Sequence, residues 1–437
     1  MTFQPLPGFR DFYPDDFARR AHIVETWRRV ARRYGFEEYD GPPLEPLELY
    51  TAKSGEEIVG QLFNFTDKGA REVSLRPEMT PTLARMVAAR ANGLKKPIRW
   101  FSVPQLFRYE KQQRGRLREH FQLNCDIIGE AGPLADAEII ALAIDVMRAF
   151  GLGPADVRVR LSDRRLLGAI LDVLDLGGGL TPLAYQVLDK RGRSEAGAAR
   201  ARLAEAGAAE AQVAALDALA ELGSLDAIVA RFPQAAAGAA PLQRTVAALE
   251  AMGLGGFVDL DLTIVRGLAY YTGTVFELFD AGRSLRAICG GGRYDRLLEG
   301  LGGVDLPALG FGMGDVVLGE LLAERGLLPA APASIDAFVA AVTPDDLAEA
   351  LGLAHALRER GVRTEYPLGA QPIGKQLKLA DARGARLAVV VGPDDRAAGV
   401  VQLKDLAAKT QRAVPRALVA DEVAALVAGA PALAPGT

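Results

Sequence analysis

The chain has 437 residues, more than one hydrophobic core normally serves, so we expect two or three domains. Its composition, 49% hydrophobic and 24% charged, is ordinary for a globular protein, and no apolar run reaches the length of a membrane span. The net charge of −4 argues against a protein that coats nucleic acid, but it leaves room for a local basic site.

Hydrophobic spacing predicts a mixture of helices and strands in the first part of the chain. In order, we expect a helix over 16–34, strands over 61–69 and 73–76, a helix over 80–91, strands over 99–109 and 120–130, a helix over 132–152 and a strand over 157–163. Prolines in 42–57 bar a regular central strand there. Cys125 and Cys289 fit neither a metal site nor a disulfide framework, so we expect small buried residues in a cytosolic protein.

Composition changes near residue 177, where the chain becomes rich in Ala, Leu and Glu with helical periodicity. We interpret about 177–245 as a helical insertion. Strand character returns at 257–265, 270–279 and 285–295, followed by a helix over 312–326. A Pro/Ala linker at 327–334 divides a domain over 1–326 from one over 335–437. Strands alternate with helices in the second domain, which predicts an α/β fold with a mostly parallel sheet.

A short basic loop lies between the two strands predicted at 99–109 and 120–130. Its cations are Arg108, Lys111, Arg114, Arg116 and Arg118. Like charges crowded together cost stability unless an anion neutralises them, and arginine binds phosphate with a two-pronged geometry. The loop therefore predicts contact with a polyphosphate or a nucleic acid end.

Two pairs of polar residues near this loop suit a small polar ligand. Prolines stiffen the turn that carries Glu78 and Thr80, which would suit a substrate ammonium group; the alternative is an ordinary helix start capped by Thr80. Gln122 and Asp126 share one strand face and could line a pocket floor beside Arg108, although an ordinary polar face is also possible. These alternatives stay open at this point.

Three further segments have compositions that a plain strand does not need. Glu110 follows Arg108 on the same face and could orient a metal or an amine, or simply form an ion pair. Tyr270 and Tyr271 are adjacent in a predicted strand, so at most one points into a given pocket. Glycine runs at 290–292 and at Gly310, Gly312 and Gly314 either let a ligand lie against backbone or pack in tight turns.

Together these segments resemble the class II aminoacyl-tRNA synthetases, specifically the histidyl-tRNA synthetase family. The resemblance covers nearly the whole chain, with the motifs in the family's order. They are the N-terminal signature PLPGFRDFYP, the first motif PPLEPLELYTAKSGE, the amino-acid loop LRPEMTPTLAR, the second motif FRYEKQQRGRLREHFQ, the histidine motifs RGLAYYTGTVFE and GGGRYD, and the third motif ALGFGMG. Residues 335–428 resemble that group's anticodon-binding domain.

The resemblance implies a cytosolic homodimer that attaches histidine to its tRNA through a histidyl-adenylate, with ATP as substrate, Mg²⁺ and no organic cofactor. It implies an α+β catalytic domain with an antiparallel sheet, joined to the α/β anticodon-binding domain. The implied catalytic residues are Arg108 and Arg266. Histidine would be bound by Glu78, Thr80, Arg108, Gln122, Asp126, Arg266, Tyr270 and Tyr271; ATP by Arg108, Glu110, Gly310, Gly312 and Gly314; and the tRNA acceptor end by Arg114, Arg116 and Arg118.

The chain departs from the family pattern at two positions. Ala269 replaces the acid of the first histidine motif, and Val317 stands where the third motif usually has an arginine over ATP. Arg293 is a candidate to contribute there instead. The alternative function is a synthetase-like regulatory subunit of ATP phosphoribosyltransferase, which would bind histidine without charging tRNA. The complete C-terminal domain and the retained Arg108 and Glu110 oppose that alternative.

Overall fold

The computed structural model describes residues 3–54, 56–111, 113–192, 194–265, 271–330 and 333–429. Three residues singled out from the sequence, Arg266, Ala269 and Tyr270, lie outside these ranges. The chain divides into two compact units, Met1–Leu328 and Pro329–Thr437. No helix in the described ranges is long and apolar enough to cross a membrane.

The first unit alternates helices and strands along most of its length. Its described helices are α1 (Pro14–Arg33), α2 (Glu48–Ser54), α3 (Thr80–Arg90), α4 (Pro133–Ala149), α5 (Arg164–Val173), α6 (Thr181–Lys190), α7 (Ala196–Glu205), α8 (Glu210–Ala218), α9 (Leu225–Arg231), α10 (Ala236–Ala251), α11 (Leu297–Gly302) and α12 (Asp315–Glu324). Its described strands are β1 (Glu37–Glu38), β2 (Leu44–Pro46), β3 (Asn64–Thr66), β4 (Glu72–Leu75), β5 (Ile98–Ser102), β6 (Gln105–Phe107), β7 (Glu119–Ile128), β8 (Val157–Asp163), β9 (Val258–Leu260), β10 (Thr274–Asp280), β11 (Cys289–Arg293) and β12 (Ala308–Gly314).

Among the described residues, nine of these strands form one sheet. Eight follow the order β1-β5-β7-β12-β11-β10-β8-β9, and β6 also pairs with β7. The central pairings are antiparallel and only the outermost pairs, β1–β5 and β8–β9, are parallel. The predicted antiparallel catalytic fold is therefore confirmed. The single strand predicted over 99–109 is wrong: it breaks at Pro104, which has no N–H for the ladder.

The side chains of the central strand β7 point alternately into the main core and toward the opposite face of the sheet. Leu123, Cys125 and Ile127 belong to the main core, whereas Ile128 belongs to a separate cluster with α3 and α11. Because strand side chains alternate, the even-numbered polar residues of β7 point away from the main core. This alternation positions the candidate site. Cys125, and Cys289 on β11, are both buried as predicted.

Helix α4 is buried between the sheet and other helices. It contacts β7, β11 and β12 on one side and α1 and α10 on others, and most of its residues, such as Ile140 and Ile144, are fully buried. A helix that is apolar on all sides is stable only when covered all round. Helix α10 belongs to the helical segment predicted at about 177–245, which in the structure continues to Ala251. That segment therefore contributes to the core as well as to the surface.

The second unit is a small α/β fold. Its described strands are β13 (Ala337–Ala341), β14 (Thr364–Glu365), β15 (Leu387–Val391), β16 (Val400–Asp405) and β17 (Thr410–Pro415), and its described helices are α13 (Leu347–Glu359), α14 (Ile373–Ala382), α15 (Pro393–Ala398) and α16 (Val419–Ala428). The sheet order is β14-β13-β15-β16-β17. The first three strands are parallel, but β16 and β17 are antiparallel. The mostly parallel prediction is wrong for that half, and for the β16–β17 pair the reason is that the turn at 406–409 is too short for a parallel crossover.

Candidate active site

The floor of the site has no side chains at its glycine positions. Gly310 and Gly312 of β12 pair with Asp126 and Asn124 of β7, and both glycine runs lie in strands, not in turns. A Cβ on Gly312 would lie only 2.7–2.9 Å from the amide of Gln122, and one on Gly310 would overlap the carboxylate of Asp126. The missing side chains therefore let polar groups from β7 lie flat across the neighbouring strand.

The loop before α3 is held by two arginines. Arg76 is buried and donates to Asp40 Oδ1 at 2.7 Å, to the Gly41 carbonyl at 2.7 Å and to the Gln105 carbonyl at 3.1 Å. Arg108 Nε donates to the carbonyl of Pro77 at 3.0 Å. Thr80 is the first residue of α3, but no side chain caps that helix, so the capping interpretation of Thr80 is wrong. The loop thus holds Glu78 and Thr80 at the edge of the site.

A cavity of about 90 Å³ joins the predicted polar residues. Its lining includes every described residue that was predicted to bind histidine: Glu78, Thr80, Arg108, Gln122, Asp126 and Tyr271. Tyr271 lies before β10, which starts at Thr274, so the prediction that it belongs to a strand is wrong. The walls offer carboxyl, hydroxyl, amide and guanidinium groups, a set that matches a small zwitterion with a further polar ring.

Asp126 is a strongly perturbed acid in this cavity. It is 5% exposed and accepts a hydrogen bond from the hydroxyl of Tyr294. Burial raises the pKa of Asp126 to about 7, although the Tyr294 hydrogen bond opposes the rise. A ligand cation that reached this carboxyl would favour its ionised form, so the group is suited to recognising a nitrogen-bearing ring.

A larger cavity of about 700 Å³ adjoins the small one. Arg108, Gln122, Gly290 and Gly312 line both, so they form a shared wall. The larger cavity is also lined by Glu110, Arg116, Arg286, Gly314, Val316 and Val317. It has the size for a nucleotide, and its arginines supply the donors that phosphate oxygens accept.

His120 adds a neutral ring to the wall of the larger cavity. Burial, followed by the cations of Arg108 and Arg10, lowers the pKa of His120 to about 3. The imidazole therefore stays uncharged at neutral pH and does not add to the positive charge of the wall.

Two of the five cations of the basic loop pair with acids of the protein itself, and the contact of the loop with a polyphosphate or a nucleic acid end stays a prediction. Arg114 pairs with Glu324 at 2.6 Å and Glu320 at 3.4 Å, both on α12. Arg116 Nε lies 2.8 Å from Glu110 Oε2, so Glu110 forms an ion pair, with Arg116 and not with Arg108.

The three loop arginines differ in their surroundings. Arg114 is 68% exposed, and Arg116 faces the larger cavity. Arg118 stacks over the Tyr109 ring at 4.5 Å and donates to the Glu110 carbonyl at 3.2 Å. Of the three, Arg114 is the one most open to an outside partner, and Arg118 belongs to the structure of the loop.

Arg293 does not line either cavity, so its candidate role at ATP is wrong. It is 1% exposed and pairs with Asp136 at 2.7 Å and Asp295 at 3.2 Å. It also donates to the Glu130 carbonyl at 2.9 Å. These contacts occupy the hydrogen-bond donors of the Arg293 guanidinium. Its role is therefore to link the end of β11 to the start of α4.

The N-terminal signature joins two segments of the larger site. Arg10 lies 2.6 Å from Glu119 at the start of β7 and 2.9 Å from Asp315 at the start of α12. Both acids are almost completely buried, and Asp315 also accepts from the backbone N–H of Phe121. Through these two ion pairs, the N-terminal segment holds the starts of β7 and α12 together beside the cavity.

Sequence reasoning missed several residues that line these cavities. Asn124 shares the strand face of Gln122 and Asp126, so the same alternation would have found it. Tyr294 carries only the weak signal of following a glycine run. Arg286 lies in no motif, and only the fold brings it to the larger cavity.

Comparisons with known proteins match both units. A family model described as "Histidyl-tRNA synthetase" matches residues 8–314, and an "Anticodon binding domain" model matches 336–426. A protein of Opitutus terrae named histidine–tRNA ligase is 48% identical, over 95% of this chain and 96% of its own. The crystal structure of histidyl-tRNA synthetase from Nostoc sp. PCC 7120 matches with a TM-score of 0.81 and 25% identity, over 97% of this chain and 99% of its own. An "ATP phosphoribosyltransferase regulatory subunit/histidyl-tRNA synthetase" from Bacillus halodurans C, 23% identical over 90% of this chain and 99% of its own with a TM-score of 0.74, shares the fold.

Proposed function

The chain belongs to the histidyl-tRNA synthetase family, class II ligases that use ATP, and we propose that it couples histidine to the matching tRNA in two steps at the site described above. The observation that carries this proposal is the shared wall. Arg108 lines both the small polar cavity and the nucleotide-sized one. A carboxylate in the first cavity and an α-phosphate in the second would therefore meet at one guanidinium.

In the first step the histidine carboxylate attacks the α-phosphorus of ATP. A carboxylate oxygen–phosphorus bond forms, the bond from the α-phosphorus to the bridging oxygen breaks, and pyrophosphate leaves. Arg108, held by its bond to the Pro77 carbonyl, opposes the charge that builds on the α-phosphate, and Arg266 is the second cation for that role. No general base is required, because the attacking carboxylate is already ionised.

Recognition of the amino acid falls to the other residues of the small cavity. Glu78 and Thr80 bind the α-ammonium group, and Gln122 and Asp126 bind the imidazole, with Tyr270 and Tyr271 bordering it. The support is that the described members of this set line one cavity and that Asp126 ionises readily near neutral pH. Ala269 removes one acid from this border, which leaves Asp126 to provide the charge complement of the ring.

In the second step a hydroxyl of the terminal ribose of tRNA attacks the histidyl carbonyl. An ester bond forms, the carbonyl–oxygen bond to phosphate breaks, and AMP leaves with the proton transferred to a phosphate oxygen. We assign the basic loop to the acceptor end, with the exposed Arg114 as the contact. Arg116 faces the nucleotide, and Arg118 keeps the loop in shape. The second unit binds the anticodon, in keeping with its family description.

Mg²⁺ accompanies the triphosphate in this proposal. The larger cavity has carboxylates at Glu110 and Glu277, and oxygen donors of this kind are the ligands that Mg²⁺ prefers. These carboxylates would hold an ion that ATP carries into the cavity. When bound, the ion would neutralise phosphate charge, while Gly312 and Gly314 leave the floor of the larger cavity open for the flat base; Gly310, predicted with them, lines the smaller cavity and not the larger one.

We further propose a homodimer in the cytosol. Leu44 of β2 and Phe65 of β3 are 38% and 50% exposed on the three-stranded sheet that carries the first motif, and exposed apolar groups of this kind suit an interface. Cys125 and Cys289 are both buried and no disulfide joins them within the described residues, which suits a reducing compartment. Sedimentation should give about twice the 46.5 kDa of one chain, and Phe65→Glu should shift it toward one.

The alternative, a histidine-binding regulatory subunit of ATP phosphoribosyltransferase, is not favoured. The match to an anticodon-binding family over 336–426 and the close relatives named histidine–tRNA ligase both point to charging. The larger cavity, with Arg108 at its wall, would be unnecessary in a protein that only senses histidine.

Histidine-dependent ATP–pyrophosphate exchange by Arg108 variants tests the central assignment. Arg108→Ala should lower the rate roughly 10²- to 10³-fold with an unchanged unfolding transition, and Arg108→Lys should recover only part of it. Arg244→Ala is the matched control, since it removes an exposed cation from α10, outside both cavities. Near-normal exchange by Arg108→Ala would refute the role of the shared wall.

A further inference from the structure

The cavity wall at the start of α12 is aliphatic. Val316 and Val317 line it, and Val317 is only 8% exposed. Neither side chain can donate a hydrogen bond to phosphate. Side-chain donors for a polyanion in this cavity must therefore come from another element.

Arg286, in the segment between β10 and β11, lines the same cavity as Val316 and Val317. A Cβ built on Gly115 would lie 3.2 Å from Val317 Cγ2 and 3.5 Å from Arg286 Cδ. Val317 and the stem of Arg286 therefore both lie against Gly115 of the basic loop, whose φ of +70° is a conformation that favours glycine. Arg286 thus lies against the loop and also lines the cavity.

The arginines around the cavity differ in their pairing. Arg116 is paired with Glu110, whereas Arg286 makes no ion pair with any residue in the described ranges. Burial lowers the pKa of Arg116, the pair with Glu110 opposes that, and the cations of Arg286 and Arg108 lower it further. Glu195 and Glu277 also line the cavity. Its positive charge comes from Arg108, Arg116 and Arg286. An anion placed among them would relieve their mutual repulsion.

We propose that Arg286, with Arg116, binds the β- and γ-phosphates of ATP at the wall where Val317 stands. This assignment rests on the proposed function, because it takes ATP as the occupant of the larger cavity. Arg108 lies at the wall shared with the histidine cavity and therefore takes the α-phosphate. Arg286 lines the larger cavity and not the smaller, which places it with the outer phosphates. Its planar fork of donors matches phosphate oxygens.

The test measures steady-state pyrophosphate exchange for Arg286→Ala and Arg286→Lys. Removing a charge-assisted contact should raise the KM for ATP roughly 10- to 100-fold while the KM for histidine moves less than about twofold. Equilibrium binding should show the same loss for a non-hydrolysable ATP analogue and little loss for AMP, which lacks the outer phosphates. The lysine variant should keep part of the affinity, and Arg244→Ala should match the parent chain.

The double variant Arg286→Ala with Val317→Arg separates phosphate binding from a purely structural role. A cation restored from α12 should recover most of the ATP affinity, which repair of packing alone would not do. An unchanged KM for ATP in Arg286→Ala, an equal loss for AMP and the ATP analogue, or no recovery in the double variant would each overturn the assignment. Absence of histidine-dependent exchange in the parent chain would refute the proposed function instead, so the two failures can be told apart.

Discussion

Two glycines in the floor of the site, only two residues apart, should respond differently to a single added methyl group. A Cβ on Gly312 would lie 2.7–2.9 Å from the Gln122 amide, which must retreat by about 0.6 Å to reach an ordinary contact of 3.4 Å. Because that amide ends a flexible side chain, the cost in folding free energy should stay below about 1 kcal/mol. Gln122 lines both cavities, however, so the shift displaces a group that borders both of the proposed substrate sites.

Gly310→Ala should instead destabilise the fold. Its Cβ would overlap Asp126 Oδ1 and lie 2.6 Å from the Cys125 carbonyl oxygen, which belongs to the backbone of the central strand β7. Strand backbone paired on both sides cannot retreat by the roughly 0.8 Å that an ordinary contact requires. We expect a loss of about 1–3 kcal/mol in the free energy of unfolding.

Urea unfolding and pyrophosphate exchange on the same preparations separate the two effects. Gly312→Ala should lose about tenfold or more in kcat/KM with a normal urea midpoint, since misplacement by about 1 Å can cost 10²-fold. Gly300→Ala on α11, where nothing lies within 4 Å of the new Cβ, is the control and should leave both measurements close to those of the parent chain. Full activity in Gly312→Ala, or parental stability in Gly310→Ala, would refute the account of the glycine floor.

Three further outcomes follow from the buried charges. Arg10→Met should lower the unfolding free energy by about 3–5 kcal/mol, because it leaves Glu119 and Asp315 buried without a cation; a loss below about 1 kcal/mol in urea unfolding would contradict that. Arg293→Met should also lower stability by about 3–5 kcal/mol yet leave the KM for ATP unchanged, and a raised KM would return Arg293 to the ATP site. Asp126, whose folded pKa of about 7 exceeds its unfolded value of about 4, contributes stability that is present below pH 4 and lost as pH rises to 7. Asp126→Asn should therefore gain stability relative to the parent between pH 5 and 8 while its KM for histidine rises, and a pH-independent difference would contradict the shift.

Local patterns in the sequence were sufficient for the residues of the small cavity. Gln122 and Asp126 were predicted together because strand side chains alternate, and the structure places both on the site face of β7. The turn holding Glu78 and Thr80 was read from its prolines. Alternation would equally have included Asn124, which was overlooked.

Features that depend on distant parts of the chain could not be read from the sequence. The sequence left open whether the glycine runs let a ligand lie against backbone or pack in tight turns, and only their pairing with β7 and β10 decides that both lie in strands. The partners of Arg114 could not be predicted because Glu320 and Glu324 lie more than 200 residues further along the chain. Arg286 carries no local signal, and its place beside Val317 follows only from how the β10–β11 segment meets the basic loop.

The most direct test of the account is histidine-dependent ATP–pyrophosphate exchange by the purified chain, measured against a panel of amino acids and followed by charging of total tRNA. The account predicts exchange with histidine alone, and transfer of histidine to tRNA, even though Val317 stands where the family has an arginine. Histidine binding without exchange would contradict the account and favour the regulatory-subunit alternative.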